Sequence, residues 1–420
     1  MTETTRRDFL KAAGAASLAI PMNVHARQNN DQLKVGLIGC GGRGTGAATQ
    51  ALAADSNVRL VAMGDAFPDR LKKSLETIKA DEKVAAKVDV KPEMCFVGFD
   101  AYKHVIANTD VVLLCEPPHF RPSHFKAAIE AGKHVFAEKP VAVDAPGVRS
   151  VLATCEEAKK KKLSVVSGLC LRYSNSFREA VKRIHGGAIG EVLMVQATDL
   201  RSGRWAKPRL PEWDDMTYHM RNWYNFTWLS GDFNVEQHVH FLDIGAWAAG
   251  GYPDRAVGLG GRQVLVEPEY GNIYDHFSIL YEYDRGVKYL SQTRQQGGCK
   301  NEMSAEVIGT KGRAFLSEGS KMHITGPEAW EKKDKDNNIY QTEHDEFFAS
   351  IRAGQPINNG EYMCKSTLLA ILGRMAAYTG QQIKWDQAMN SKEDLTPPKY
   401  EWGAAVPPHA IAVPGRTKFV

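Results

Sequence analysis

Residues 33–44 read Leu-Lys-Val-Gly-Leu-Ile-Gly-Cys-Gly-Gly-Arg-Gly, and they constrain the fold more than any other stretch. An apolar run from Leu33 to Ile38 ends at Gly39, and an amphipathic stretch runs from Arg43 to Ala54. A strand that turns into a helix through Gly-x-Gly-x-x-Gly is the pattern of a dinucleotide site. Gly39 permits the tight turn, Gly41 lets backbone approach a pyrophosphate, and Gly44 lets helix and strand pack closely. Cys40, Gly42 and Arg43 complete the turn, and phosphates are expected on the amides that open the helix. The motif alone is a weak signal, so the flanking pattern has to carry it.

That pattern continues. Val58 to Met63, Val111 to Cys115, His134 to Ala137 and Val165 to Leu169 are further short apolar runs. Helical stretches fall between them at Pro68 to Lys79, Pro122 to Ala131 and Pro146 to Lys161. Strands apolar on both faces and alternating with helices predict a parallel sheet covered on both sides. Residues 31–171 are therefore expected to form an α/β, doubly wound nucleotide-binding domain. Beyond Arg172 come a helix from Asn175 to His185, an irregular Trp-, Pro- and Asp-rich segment over 200–230, and a helix from about Phe233 to Ala249. Several β-like runs follow, two of them joined by a tight turn at Tyr283-Asp284-Arg285-Gly286. Residues 172–393 are thus expected to form an α+β domain with a large, mainly antiparallel open sheet, and 394–420 an extended Pro-rich tail. Two domains suit a chain of 420 residues.

Asp65 closes the second strand. A carboxylate there accepts from adenosine ribose hydroxyls and repels a 2′-phosphate, which favours NAD and leaves NADP open. A turn aspartate capping the next helix is the other reading. The net charge of +4 is dispersed, and its one basic run, Lys159 to Lys162, falls at a helix end, so no nucleic-acid partner is expected. Seven cysteines show neither a disulfide framework nor metal-ligand spacing, and no metal site is expected. Arg6-Arg7-Asp8-Phe9-Leu10-Lys11 precedes an apolar run, Ala12 to Ile20, too short to span a bilayer. It resembles a twin-arginine export signal. Residues 1–30 are read as signal and linker, with export, to the periplasm or otherwise, by the twin-arginine machinery and no membrane span in the mature chain.

Three further stretches complete a pattern: Val111 to His119, containing Glu116-Pro117-Pro118-His119; Ala131 to Pro140, containing Glu138-Lys139-Pro140; and Glu236 to Asp243. With the glycine turn, they resemble the Gfo/Idh/MocA family, named for glucose–fructose oxidoreductase and inositol dehydrogenase, from Leu33 to about Thr379. The resemblance implies a Rossmann domain and an α+β domain whose open sheet makes oligomer contacts, hence a homodimer or homotetramer. It implies cofactor contacts at Glu116, Pro117, His119, Glu138 and Lys139, with Lys139 between nicotinamide and substrate. His240 and Asp243 match the family's helix motif, Glu236 stands where its first Asp would be, and His238 receives no role. Glu116-Pro117-Pro118 departs from the family's Thr-Pro-Asn, so contacts on the nicotinamide side are expected to differ.

The spacing of 236, 240 and 243 puts them on one helix face. His240 beside a carboxylate can act as a base near neutral pH, and Lys139 can stabilise oxyanion charge. The other reading is a structural polar cluster. Trp205, Arg221, Asn222 and Trp223 are read as substrate contacts, because sugar faces stack on aromatic rings, or else as an aromatic core or oligomer contact. Arg172 and Tyr173 are read as substrate contacts or as an interdomain pair. The expected function is hydride transfer between tightly bound NAD(P) and a secondary alcohol of a sugar, glycoside or polyol. The alternatives are an NAD-dependent glycosidase working by transient oxidation and elimination, and a catalytically silent sugar-binding protein.

Overall fold

The computed structural model describes residues 31–318 and 321–420, so the export signal read at residues 1–30 lies outside them. Its first sheet has six strands, all parallel. These are β1 (Leu33–Ile38), β2 (Val58–Asp65), β3 (Cys95–Val97), β4 (Val111–Leu114), β5 (His134–Ala137) and β6 (Val165–Ser167), in the order β3-β2-β1-β4-β5-β6. The strand order reverses between β1 and β4, which opens a crevice at their carboxyl ends, where the glycine turn leaves β1. Helices α1 (Gly42–Ala54), α2 (Pro68–Ala80), α3 (Ala101–Ala107), α4 (Arg121–Glu130) and α5 (Ala145–Lys160) connect the strands. All four residues of β4 are buried, as a strand covered on both faces requires. α5 shows how a helix is set. The Asp144 carboxylate accepts from the Gly147 amide at 2.8 Å, Val148, Val151, Cys155 and Ala158 form its buried stripe, and Lys159 and Lys160 sit at its negative end.

The second layer follows α6 (Asn175–His185). Nine strands form one sheet: β7 (Val192–Arg201), β8 (Arg255–Gly261), β9 (His276–Glu282), β10 (Lys288–Gln295), β11 (Glu302–Gly309), β12 (Arg313–Ser317), β13 (His323–Thr325), β14 (Trp330–Glu331) and β15 (Ile383–Lys384). Their order is β14-β13-β12-β11-β7-β10-β9-β8-β15. Every pairing is antiparallel except β7 with β10. Phe277, Ile279 and Tyr281 of β9 alternate inward, toward the helices. Those helices include α7 (Asp215–Arg221), α8 (Thr227–Ser230), α9 (Phe233–Glu236), α10 (Val239–Ala249), α11 (Ile339–Ala353), α12 (Gly360–Thr379) and α13 (Trp385–Met389). α12 packs against α5 on one side and β8 on the other. This is why it is buried almost all round rather than along a stripe. No helix among the described residues is long and apolar enough to cross a membrane.

Two local expectations change. The helix expected over Phe233 to Ala249 breaks after Glu236, and a new helix starts at Val239. The Glu236 carbonyl, which an unbroken helix would turn toward the amide of residue 240, accepts from Lys139 Nζ at 2.6 Å. The tail has no regular structure but is firmly tied. Leu395 N donates to the Asp144 carboxylate at 3.1 Å, Tyr274 Oη to the Ala412 carbonyl at 2.9 Å, and Gly415 N to the Thr379 carbonyl at 2.9 Å.

Candidate cofactor and active site

The glycine turn shows three different constraints. Gly39 has φ +90°, and a Cβ there would stand 2.3 Å from the Glu116 amide nitrogen. A Cβ on Gly44 would stand 1.9 Å from the Gly39 carbonyl oxygen, so helix and turn meet backbone to backbone. At Gly41 and Gly42 nothing lies within 4 Å of a built Cβ. That is an open cradle at the start of α1, where unpaired amides and the helix dipole favour an anion. Asp65 braces the turn. One carboxylate oxygen accepts from Cys40 N at 2.7 Å and the other from Phe67 N at 2.8 Å. Each oxygen keeps a second lone pair for a ribose hydroxyl. Burial raises the carboxyl's pKa, and the two amides oppose that shift. These residues fit a dinucleotide.

A cavity of about 440 Å³ opens in front of the turn. Gly39, Gly41, Gly42, Arg43, Asp65, Glu116 and Pro117 line it, as do Trp205 and Trp223. Phe67, Arg70, Phe99, Tyr102, Phe120, His124, Lys207 and Met220 also stand in the wall. Periodicity carried no sign of them. The aromatic segment read as a substrate contact is therefore placed over the cofactor cavity. Asn222 does not reach the cavity: its side chain accepts from Lys207 N at 3.0 Å and donates to the Glu269 carbonyl at 2.7 Å, holding the loop. Arg221 latches the segment to the first layer. It bonds both Asp69 oxygens at 2.7 Å and lies 3.8 Å over the Phe67 ring. Arg221→Ala is expected to speed NAD release about tenfold, because affinity changes appear mostly in dissociation rates. The melting temperature should barely move, since exposed ion pairs contribute about 0–1 kcal/mol. Stopped-flow displacement of bound NADH measures the release. An unchanged rate would show that the latch holds nothing.

Several residues read as cofactor contacts stand behind this wall. Cys40 is buried, and its thiol faces the Gly64 carbonyl. Glu138 is bonded by Arg43 Nε, and its other oxygen accepts from Lys139 N at 3.1 Å. Arg43 also reaches Glu343 at 2.6 Å and Gln50 at 2.7 Å, so its guanidinium links the glycine turn to the Lys139 loop. His119 corrects the expectation. It turns away from the cavity, with Nε2 2.9 Å from Tyr400 Oη of the tail and its ring edge-on to Trp228.

Burial pushes the His119 imidazole down to about 3, and that of His219 to about 3 as well. Unfolded, both protonate near 6.5. Stability is therefore complete above that pH and is lost as pH falls toward the folded values. At about pH 5 each should cost on the order of 1–2 kcal/mol. Urea unfolding at neutral pH and at about pH 5 measures the loss. His119→Gln should shrink it by about one histidine's share, and an unchanged loss would contradict the assignment.

Lys139, Glu236 and His240 come together next to the Arg43 link. Lys139 Nζ donates to Glu236 Oε1 at 2.9 Å and to the Glu236 carbonyl at 2.6 Å, with Glu236 buried. An ammonium has three donors, so one remains. His240 is held well below the usual imidazole range, first by burial and then by the charges of Lys139, Arg201 and Arg43. Its Nδ1 is buried without a partner. Arg201 was not singled out from the sequence; Asp199, two residues away on β7, fixes its guanidinium. Asp243 and Arg172 satisfy one another through two 2.8 Å bonds, and Arg172 lies between Trp247 and Tyr362. Tyr173 Oη donates to Asn359 at 2.8 Å. These three stand in the interdomain arrangement. His238 is turned toward the sheet, with Nε2 2.8 Å from Ser291 Oγ.

Residues 33–167 match the oxidoreductase family GFO_IDH_MocA, NAD-binding Rossmann fold, and residues 177–315 match the GFO/IDH/MocA C-terminal domain. An inositol 2-dehydrogenase of Serratia proteamaculans (strain 568) is 32% identical over 338 residues, 77% of this chain and 87% of that protein. One of Rhizobium meliloti (strain 1021) is 26% identical over 282 residues, 67% of this chain and 74% of that protein. An aldose-aldose oxidoreductase of Caulobacter crescentus complexed with glycerol superposes with a TM-score of 0.66 at 19% identity, covering 84% of this chain and 99% of that one. A scyllo-inositol dehydrogenase of Lactobacillus casei, solved with NAD(H) and scyllo-inositol, gives 0.63 at 18% identity, covering 85% and 100%. At such identity these two show the shared fold.

Proposed function

The chain belongs to the Gfo/Idh/MocA family of NAD-binding oxidoreductases, and on that premise we propose that it oxidises a secondary alcohol of a polyol or sugar, with an inositol-like ring as the first candidate. The observation that carries this reading is Lys139. Two of its three donors are spent on Glu236, which fixes the ammonium and leaves one donor for a substrate oxygen. When bound in the glycine cradle, NAD supplies the hydride acceptor. Lys139 orients the hydroxyl and stabilises the negative charge that develops on its oxygen. His240, neutral at pH 7, receives the hydroxyl proton as the carbonyl forms, and the surrounding cations favour loss of that proton from the ring before the next turnover. Glu236 keeps Lys139 in place.

The relatives named as inositol 2-dehydrogenases support the substrate class. The aromatic roof over the cavity supports a cofactor that stays bound. The decisive experiment follows the near-ultraviolet absorbance of bound nicotinamide while inositols, aldoses and other polyols are offered in turn. Reduction by one of them is expected. A loaded enzyme that none of them reduces would end this reading.

Two further parts of the proposal have their own supports. Export rests on Arg6-Arg7 and the short apolar run behind them. Replacing both with lysine should leave the protein in the cytoplasmic fraction of expressing cells, and continued export would refute it. Self-association rests on the open face of the second sheet. There Val257, Leu280 and Leu290 stand side by side on β8, β9 and β10, and Leu259 is 75% exposed. Light scattering should give a dimer or tetramer mass, and a monomer would remove this part alone.

A further inference from the structure

Glu116 is the one carboxylate in the cavity wall that nothing in the proposed chemistry uses. It is 6% exposed, and neither of its carboxylate oxygens has a hydrogen-bond partner. A buried carboxylate left without donors costs several kcal/mol, so its partner is expected to arrive with a ligand. His124 does not serve. Its Nδ1 is 3.3 Å from Oε1 but out of alignment, because its ring stacks on Tyr102 with centroids 3.9 Å apart.

That stack also locates Glu116 along the cavity, and not on the nicotinamide side where the resemblance put it. Tyr102 opens α3, just beyond β3, on the side of the sheet where Asp65 ends β2. This is the adenosine half, with the phosphates at Gly41 and Gly42. A carboxylate there is repelled by phosphate and is not needed by the ribose, which Asp65 serves. Phe99, Tyr102 and Phe120 give the neighbouring wall flat apolar surfaces. A slot with aromatic walls and one buried acceptor suits a planar base bearing an amine.

We propose that Glu116 accepts a hydrogen bond from the exocyclic amine of the cofactor's adenine and makes the chain selective for adenine in the dinucleotide. The proposal rests on the cavity being the NAD site, and not on the polyol reading. No bond is made or broken in this step; it is recognition.

The test is equilibrium binding to the full chain, read by quenching of tryptophan fluorescence, for which Trp205 and Trp223 stand in the cavity wall. NAD is compared with nicotinamide hypoxanthine dinucleotide, which presents a carbonyl where adenine has its amine, and with the analogue bearing unsubstituted purine. Wild-type protein should bind both analogues at least about tenfold more weakly than NAD, because each leaves the buried acceptor unpaired. Glu116→Gln should bring NAD and the hypoxanthine analogue within about threefold, since a carboxamide can present either a donor or an acceptor. Equal binding of the three dinucleotides by wild type, or an undiminished preference in Glu116→Gln, would overturn the proposal. Should the variant not fold, the purine analogue with wild type decides alone. A tenfold loss with the acetylpyridine analogue in place of the hypoxanthine one would move Glu116 to the nicotinamide end and also overturn it. If wild type binds no dinucleotide, the cavity assignment itself fails, an outcome separate from any of these.

Discussion

Lys139→Ala is expected to lower turnover by about a thousandfold while NAD binds within a few-fold of wild type. The two effects separate because Lys139 stands outside the cavity wall that would hold the dinucleotide, and contacts Glu236 rather than the glycine turn. The variant also leaves the buried Glu236 without its cation. Breaking a buried pair from one side costs about 3–5 kcal/mol where both groups are fully buried, and less here, where some solvent reaches them. Thermal unfolding must therefore accompany the kinetics, so that a folded fraction can be assigned before turnover is compared. Cofactor titration and steady-state turnover on the best substrate make the comparison. A fall of tenfold or less in turnover, with the fold intact, would remove Lys139 from the chemistry and leave the His240 cluster as structural polarity.

What could be read from the sequence divides along a physical line. The glycine turn and the alternation around it are local: a positive φ, a backbone contact and a both-faces-buried strand each leave a mark within a few residues. The second sheet was legible as a class for the same reason, since β9 and β10 alternate with a period of two. The parallel pairing of β7 with β10 was not, because a crossover of that length leaves no local mark. The break between Glu236 and Val239 is similarly silent. Val235, Val239 and Leu242 keep helical spacing across it, and the group that takes the Glu236 carbonyl there is an ammonium from residue 139. Arg172 carried two readings until the fold placed it on Asp243. Trp205 and Trp223 illustrate the limit most clearly. An aromatic side chain serves a sugar, a base or a core equally well, and only the tertiary path of residues 200–230 puts these two over the cofactor cavity.

Alanine at Gly41 and alanine at Gly44 should fail in opposite ways, although the two glycines are three residues apart. At Gly44 the new methyl would meet the Gly39 carbonyl oxygen at 1.9 Å, a backbone atom that cannot swing aside. Either α1 or the turn must retreat from β1, and overpacking of this kind costs about 1–3 kcal/mol or more. Gly44→Ala is therefore expected to lower the melting temperature by several degrees and to lose NAD binding as a consequence of a displaced turn. At Gly41 the same methyl meets nothing within 4 Å, and its backbone has φ −75°, which any residue adopts. Gly41→Ala should leave the melting temperature of the unliganded protein unchanged to within about a degree. It should weaken NAD binding by about a hundredfold, because the methyl occupies the space through which a pyrophosphate reaches the helix amides. Differential scanning fluorimetry with and without NAD reads both halves at once: a low baseline for Gly44→Ala, and a normal baseline with little ligand-induced shift for Gly41→Ala. A Gly41→Ala protein that binds NAD as wild type does would mean that the open space before α1 is not where the phosphates lie, whatever the likeness of the turn to dinucleotide sites elsewhere.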